Sequence, residues 1–326
     1  MTYSTRFCVA PMLDWTDRHC RYFHRTLSKT ALLYTEMVTT GAILHGDCDR
    51  LLGFDQHEHP LALQLGGSDP DELARSVEIA EQYGYDEYNL NCGCPSERVQ
   101  KGSFGACLML EPELVARAVE AMQSVTSKPV TVKHRIGVDE QTGLAFTERF
   151  VQTLREAGVH HFIVHTRAAW LKGLSPKENR EIPPLDREVA FALKARYPDD
   201  TFVINGQIAD IPTAQQLLAQ GMDGVMVGRA AYHNPWILQS VDTEINRATA
   251  PCVSTREEVV DLMSAYVSQH CSEDPLAQRA VARHMMGLAQ GLPGARLWRR
   301  LLSNTRYLKQ EGVHAIAKAW QEAFKG

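Results

Sequence analysis

No apolar run in this 326-residue chain approaches the ~18 residues needed to cross a bilayer. The opening Met1-Thr2-Tyr3-Ser4-Thr5-Arg6 lacks the shape of a secretory leader and runs straight into a strand-like stretch, so a cytoplasmic protein with no membrane partner is expected. A disulfide framework is missing too. The eight cysteines (8, 20, 48, 92, 94, 107, 252, 271) are scattered, most of them in apolar segments where a reduced thiol acts as a small hydrophobe. Only Cys92 and Cys94 are close together, and no second pair at zinc-like spacing accompanies them, so no metal site is expected. There is no G-x-G-x-x-G turn and no Walker lysine loop, and neither internal repeats nor low-complexity tracts occur.

What remains is a globular composition. With 44% hydrophobic and 22% charged residues the chain can bury a sizeable core, which excludes wholesale disorder. At ~150 residues per domain its length suggests two units, or a barrel with an appendage. Eight β-rich runs are expected as strands: Phe7–Ala10, Leu32–Met37, Leu61–Leu65, Glu87–Asn91, Val130–Lys133, Phe162–His165, Phe202–Asn205 and Gly224–Val227. Helical patterns separate them: Asp17–Ser28, Asp69–Tyr83, Pro112–Val125, Leu144–Ala157, Asp186–Arg196 and Ile211–Gln220. Parallel neighbours require such crossovers, and eight of them fit an α/β (β/α)₈ TIM barrel. A doubly wound sheet would want a glycine-rich turn after its first strand, where Ala10-Pro11-Met12-Leu13 stands instead.

Beyond about Thr243 the strand pattern stops. Segments 254–271, 275–290, 293–310 and 312–324 read as amphipathic helices, divided by Glu273-Asp274-Pro275, Gly291-Leu292-Pro293 and Glu311-Gly312. The expected organisation is a catalytic barrel over 1–243 and a small all-α domain over 244–326, with a linker near Asp242–Ser254. Net charge is −8 over the first part and +3 over the second. Between Pro275 and Gln310, Arg279, Arg283, Arg296, Arg299, Arg300, Arg306 and Lys309 occur without one acidic residue. A solvated face normally mixes signs, so this stretch points to a polyanionic partner.

Barrel chemistry gathers at the carboxyl ends of the strands. Those ends carry Pro11-Met12, Glu36, Gln64, Asn91-Cys92-Gly93-Cys94-Pro95, Lys133-His134-Arg135, His165-Thr166-Arg167, Asn205-Gly206-Gln207 and Gly228-Arg229. The last two groups suggest a phosphate site, since glycine lets backbone approach an anion and arginine adds a fork of donors. Lys133 is open to three roles (Schiff-base nucleophile, phosphate partner, cation beside an electron-accepting ring) or to simple pairing with Glu36. Gly93 and Pro95 leave the Cys94 thiol exposed. An ordinary thiol, with a pKa near ~8.5, is protonated at neutral pH and can act as a general acid, or as a nucleophile if a base activates it. Cys92 reads as a buried, inert thiol. His45, His57 and His59 read as surface histidines.

Ala10-Pro11-Met12, Asn89-Leu90-Asn91-Cys92-Gly93-Cys94-Pro95-Ser96 with Gly105-Ala106, Val132-Lys133-His134-Arg135-Ile136-Gly137, Val164-His165-Thr166-Arg167, Asn205-Gly206-Gln207-Ile208 and Val227-Gly228-Arg229 run in order along nearly the whole chain. Together they resemble the tRNA-dihydrouridine synthase family. The opening Met12-Leu13-Asp14-Trp15-Thr16-Asp17-Arg18 and the stretch Trp170 to Arg180 are similar to its bacterial A-type subfamily. The resemblance implies a flavin barrel with a helical carboxyl-terminal domain that reduces the C5–C6 bond of tRNA uridines, at positions 20 and 20a of the D-loop, with NADPH recharging bound FMN. Pro11, Met12 and Leu13 would line the flavin, and Gln64 would reach its pyrimidine edge. Lys133 would lie near N1/O2. His165, Asn205, Gly206, Gln207, Gly228 and Arg229 would hold the ribityl chain and phosphate.

Cys94 takes the position of the family's catalytic cysteine, protonating C5 while hydride from reduced FMN reaches C6. Asn91 and Arg135 are candidates to hold the flipped uracil or its phosphate. Arg167, Lys177, Asn179 and Arg180, with Arg296, Arg299 and Arg300 on one helical face, are candidates to grip tRNA; no DNA or protein partner is expected, and the chain is expected to act as a monomer. Gln207 departs from the pattern, standing where many family members have a second glycine. Three other readings remain: a flavin barrel acting on a small pyrimidine or enone, a tRNA-binding module without catalysis, and a Schiff-base lyase built on Lys133.

Overall fold

The computed structural model describes residues 3–96, 99–100, 102–271 and 274–324. Its centre is a closed barrel of eight parallel strands: β1 Phe7–Val9, β2 Leu32–Thr39, β3 Leu61–Gly66, β4 Glu87–Cys92, β5 Val130–Arg135, β6 His161–His165, β7 Thr201–Asn205 and β8 Gly224–Val227. Each strand pairs with its neighbours in sequence, and β8 closes on β1 through Phe7↔Val225 to Val9↔Val227. β5 runs two residues past the expected Lys133, because His134 and Arg135 still pair with Val164 and His165 of β6. Polar residues at a strand end do not look like strand in sequence; the ladder is what extends it.

Strand alternation divides the apolar residues into two cores. One face of the strands, with Val9, Leu63, Leu90, Val132, Val164 and Ile204, packs outward against the helices. The other face fills the barrel interior with Cys8, Leu32, Tyr34, Ala62, Ile163, Val203 and Met226. On β4 the inward set is polar throughout: Glu87, Asn89 and Asn91 alternate with outward Tyr88, Leu90 and Cys92, all six buried.

Around the barrel lie α1 Arg18–Leu27, α2 Pro70–Glu81, α3 Pro112–Ser124, α4 Leu144–Glu156, α5 Glu188–Arg196, α6 Ile211–Ala219 and the short α7 Arg229–His233. Asp17, Asp69 and Asp210 cap α1, α2 and α6 through the N–H groups of Cys20, Glu72 and Thr213. The sequence pattern did not mark the helical turns Thr40–His45, Cys48–Leu52 and Gly105–Leu110 or the hairpin Gly137–Val138/Gln141–Thr142. All are too short to show a period.

The remaining helices are α8 Arg256–His270, α9 Pro275–Met285, α10 Ala295–Ser303, α11 Thr305–Glu311 and α12 Ala315–Phe324. The helix expected over 293–310 is two. Asn304 ends α10 and caps α11, its side chain accepting from the N–H groups of Arg306 and Tyr307. Glu273, in one of the expected dividers, lies outside the described residues. Asp242, expected to open a linker, is buried instead, accepting hydrogen bonds from Ser28 Oγ, Thr30 Oγ1 and the N–H groups of Lys29 and Thr30. A partner two hundred residues away leaves no mark in local sequence.

Candidate active site at the barrel mouth

The strand-4 end is the most constrained part of the mouth. Asn91 Oδ1 accepts from the N–H groups of Gly93 (3.0 Å) and Cys94 (2.9 Å), and the Cys94 carbonyl accepts from Ala106 N–H (2.9 Å). Gly105 makes that closure possible: it has φ +79°, and a Cβ there would sit 2.6 Å from the Cys94 oxygen and 2.4 Å from Val99 Cγ1. Cys94 is therefore held by its backbone while its side chain remains partly exposed. Cys92 faces the outer core, where burial pushes its thiol up.

Lys133 reaches inward from β5 and has neither a hydrogen bond nor an ion pair to any described residue. Burial, reinforced by the neighbouring Arg135 guanidinium, pushes its ammonium down to about 7; the Cys94 sulfur lies close enough to oppose that shift. Glu36 forms no ion pair with it, and accepts from Asp14 N–H instead. His165, at the end of β6, is held well below its ordinary value by burial and by Arg135 and Lys133, so its ring is neutral. Gln64 lies deeper than a mouth residue, 1% exposed, donating to Asn89 Oδ1 and accepting from Asn91 Nδ2.

Across the mouth, Asn205 donates to the Met226 carbonyl (2.7 Å), and the chain turns sharply at Gly206 (φ +130°) and Gln207 (φ +50°). Gln207 thus takes the left-handed conformation that glycine would adopt freely, and its side chain accepts from Arg167 Nη2 (2.9 Å). Arg187, which the sequence reading missed, donates to the Gly206 and Gln207 carbonyls from behind. Gly228 caps α7 without a side-chain bond, and the space a Cβ would take there meets only Ala10 and Met12, both at 3.6 Å. Pro11 and Met12 are half-buried beside this turn, and Leu13 is 66% exposed. Arg229 pairs with Glu181 from the strand-6 loop.

Three of the expected substrate contacts are engaged in internal hydrogen bonds. Arg135, 3% exposed, donates to the carbonyls of Gly93, Ala168 and Asn179, tying three loops together. Asn179 is wholly buried, with its amide bonded to backbone of Trp170, Leu174 and Ser175. Arg167, 7% exposed, donates to the Glu181 and Pro183 carbonyls besides Gln207. A cation or amide in a motif looks like a ligand in sequence, whereas here buried carbonyls claimed each one. Lys177 and Arg180 of the same loop are exposed, as are Arg279, Arg296, Arg299 and Arg300. Arg283 is not free, pairing with Asp17 at 2.6 Å beside buried His284. The sequence reading also missed Gln100, which bridges the Pro95 and Leu171 carbonyls, and the Trp15–Tyr232 stack at 4.3 Å. Neither has a local sequence signal.

The geometry is that of a (β/α)₈ enzyme with a partly exposed thiol, a lysine that pairs with no described residue and two glycine turns at the carboxyl ends of its strands. The chain belongs to the dihydrouridine synthase (Dus) family, which it matches over residues 8–325. It is 55% identical to a tRNA-dihydrouridine(20/20a) synthase of Shewanella oneidensis over 97% of this chain and 93% of that one. Proteins of the same name from Vibrio parahaemolyticus (52%; 98% and 97% covered) and Pseudomonas aeruginosa (55%; 92% and 90% covered) are similar throughout.

Proposed function

We propose that this protein reduces uridines of tRNA to dihydrouridine, at positions 20 and 20a as the names of its relatives state for them. The observation that carries the reading is the Cys94 turn: a partly exposed thiol fixed by Asn91 and Gly105 at the mouth of a barrel whose lysine forms no ion pair with a described residue. In the proposed reaction Cys94 gives its proton to C5 of the uracil. Lys133, Arg135 and Arg180 lie close enough to interact with its sulfur, so the thiolate left behind forms among cations. Neutral His165 can donate one N–H and accept at its other nitrogen.

The mouth residues fit flavin mononucleotide. Lys133 lacks a partner among the described residues, Arg187 fixes the Gly206–Gln207 turn by donating to its carbonyls, and α7 begins with an uncapped first turn at Arg229. Bound FMN, recharged by NADPH, would supply the hydride that C6 receives. Pro11, Met12 and Leu13 would line its ring, and the deeper Gln64 would reach its pyrimidine edge through the Nε2 hydrogen not given to Asn89; His165, Asn205, Gly206, Gln207, Gly228 and Arg229 would take its ribityl chain and phosphate. Residues 244–326 would serve as a tRNA-gripping domain on the barrel of residues 1–243. The exposed Arg296, Arg299 and Arg300, with Lys177 and Arg180, would neutralise tRNA phosphates.

The test is dihydrouridine content, by mass spectrometry, of unmodified tRNA treated with the protein, FMN and NADPH. Wild type should convert tRNA but not free uridine. Cys94→Ala should lose on the order of 10²-fold or more, within the range a positioned general acid contributes. Turnover of free uridine without tRNA dependence would move the reading to a small-molecule reductase.

A further inference from the structure

A continuous run of hydrogen bonds passes through the barrel interior from its floor to the Cys94 turn. At the floor Glu87, fully buried, accepts from three hydroxyls: Tyr34 (2.6 Å) and Thr131 (2.7 Å) on Oε1, and Tyr3 (2.9 Å) on Oε2. Burial beside Glu87 pushes both tyrosines up, so both keep their protons and donate. Thr131 has one O–H, and it goes to Glu87; the same oxygen accepts from Asn89 Nδ2 (2.8 Å). Asn89 must therefore turn Oδ1 toward Gln64, whose Nε2 donates to it (2.8 Å). Gln64 then has Oε1 left for Asn91, which donates from Nδ2 (2.8 Å). Asn91 Oδ1 ends the run on the N–H groups of Gly93 and Cys94.

An amide side chain fits its site equally well in two orientations unless its partners choose between them. Here both ends choose, and they agree. A carboxylate that takes three hydroxyl donors stands at the floor, and two backbone donors stand at the mouth. With both lone pairs of Asn91 Oδ1 and one Nδ2 hydrogen in use, the only hydrogen-bonding capacity Asn91 has left is one N–H.

We infer that Glu87, Thr131 and Asn89 are positioning residues. Through the run they fix the amide polarity of Gln64 and Asn91, so that the Cys94 turn stays capped and the group Asn91 can offer a base is a donor, matched to a carbonyl oxygen of uracil rather than to an amino group. The uracil part rests on the proposed function; the locking of Cys94 does not. None of the three touches the mouth. All three face inward by strand alternation, beside the apolar Tyr34, Ala62 and Ile163, and polar groups buried there are costly unless paired, as these are.

The test uses the full chain with Thr131→Val, which removes the hydroxyl at nearly constant volume, Thr131→Ser, which keeps it, and Asn89→Leu. Two quantities are read: the rate at which iodoacetamide alkylates Cys94, followed on the Cys94 peptide, and kcat and KM for tRNA. In Thr131→Val and Asn89→Leu alkylation should quicken several-fold as the turn loosens. Their kcat should fall on the order of 10- to 100-fold, as for small misplacements of a reacting group, with KM for tRNA within about threefold. Thr131→Ser should stay within about threefold of wild type on both. Wild-type alkylation in folded Thr131→Val, or equal quickening in Thr131→Ser, overturns the inference, and Thr131→Val decides it even if Asn89→Leu fails to fold. A wild-type protein inactive on tRNA would sink the proposed function while the alkylation comparison still judged the run.

Discussion

Lys133 shows how a single residue is tuned by where its strand puts it. Its folded pKa of about 7 stands against about 10.4 in an unfolded chain, so between those values the unfolded chain holds a proton that the folded protein has released. Stability should therefore rise as pH climbs from 7 to 10, and below 7 the folded protein bears the full cost of the buried ammonium. Lys133→Met should melt at a higher temperature than wild type at pH 6, and the gap should close by pH 10. Melting curves of the ligand-free protein across that range check this. An anion bound at the mouth should shrink the gap by giving the ammonium a partner.

Among the elements, the turn after β4 carries the tightest steric demand near the site. Gly105 combines a positive φ with backbone contact on Cys94, so Gly105→Ala meets both a conformational cost and a clash. The expected loss is about 2–4 kcal/mol of stability, visible in urea denaturation. In the fraction that folds, the Cys94 turn should be displaced and dihydrouridine formation should drop at least tenfold. Gly143→Ala is the matching control: its φ of 92° and ψ of −173° favour glycine but its Cβ position is open, so it should cost about 1–3 kcal/mol of stability and leave activity of the folded protein alone. The strand-6 loop illustrates the same scale differently. Arg135, Asn179 and Arg167 spend their donors on carbonyls of that loop and its neighbours, holding Lys177 and Arg180 outward.

Over the whole molecule, charge is divided between the barrel and the helices that follow it. The α10 arginines 296, 299 and 300 stand exposed on one face, while Arg283 is committed to Asp17 at the start of α1. Replacing the three α10 arginines with alanine should raise KM for tRNA, leave kcat within about twofold, and flatten the slope of log affinity against log salt by about 2–3. Binding titrations at several salt concentrations measure it. Arg283→Ala should behave otherwise, lowering the melting temperature, because it removes a pair between α9 and the barrel rather than a phosphate contact.

The sequence by itself determined the barrel and the identity of the central residues at its mouth. Eight runs bounded by helical patterns leave few alternatives to closure, and Cys94, Lys133 and Asn205 stand at strand ends whatever the details. Period-two alternation is local, so it can be read from a strand such as Glu87–Cys92 before any contact is known. Tertiary structure decided which polar residues are free to act. Arg135, Arg167 and Asn179 are claimed by buried carbonyls, Asp242 by a loop two hundred residues earlier, and Asn89 by partners on β3 and β5. A hydrogen bond depends on what distant segments bring within 3 Å, and a buried donor left without such a partner costs about 1–3 kcal/mol. The need to satisfy buried polar groups therefore assigned these side chains their roles, and no spacing along the chain encodes that.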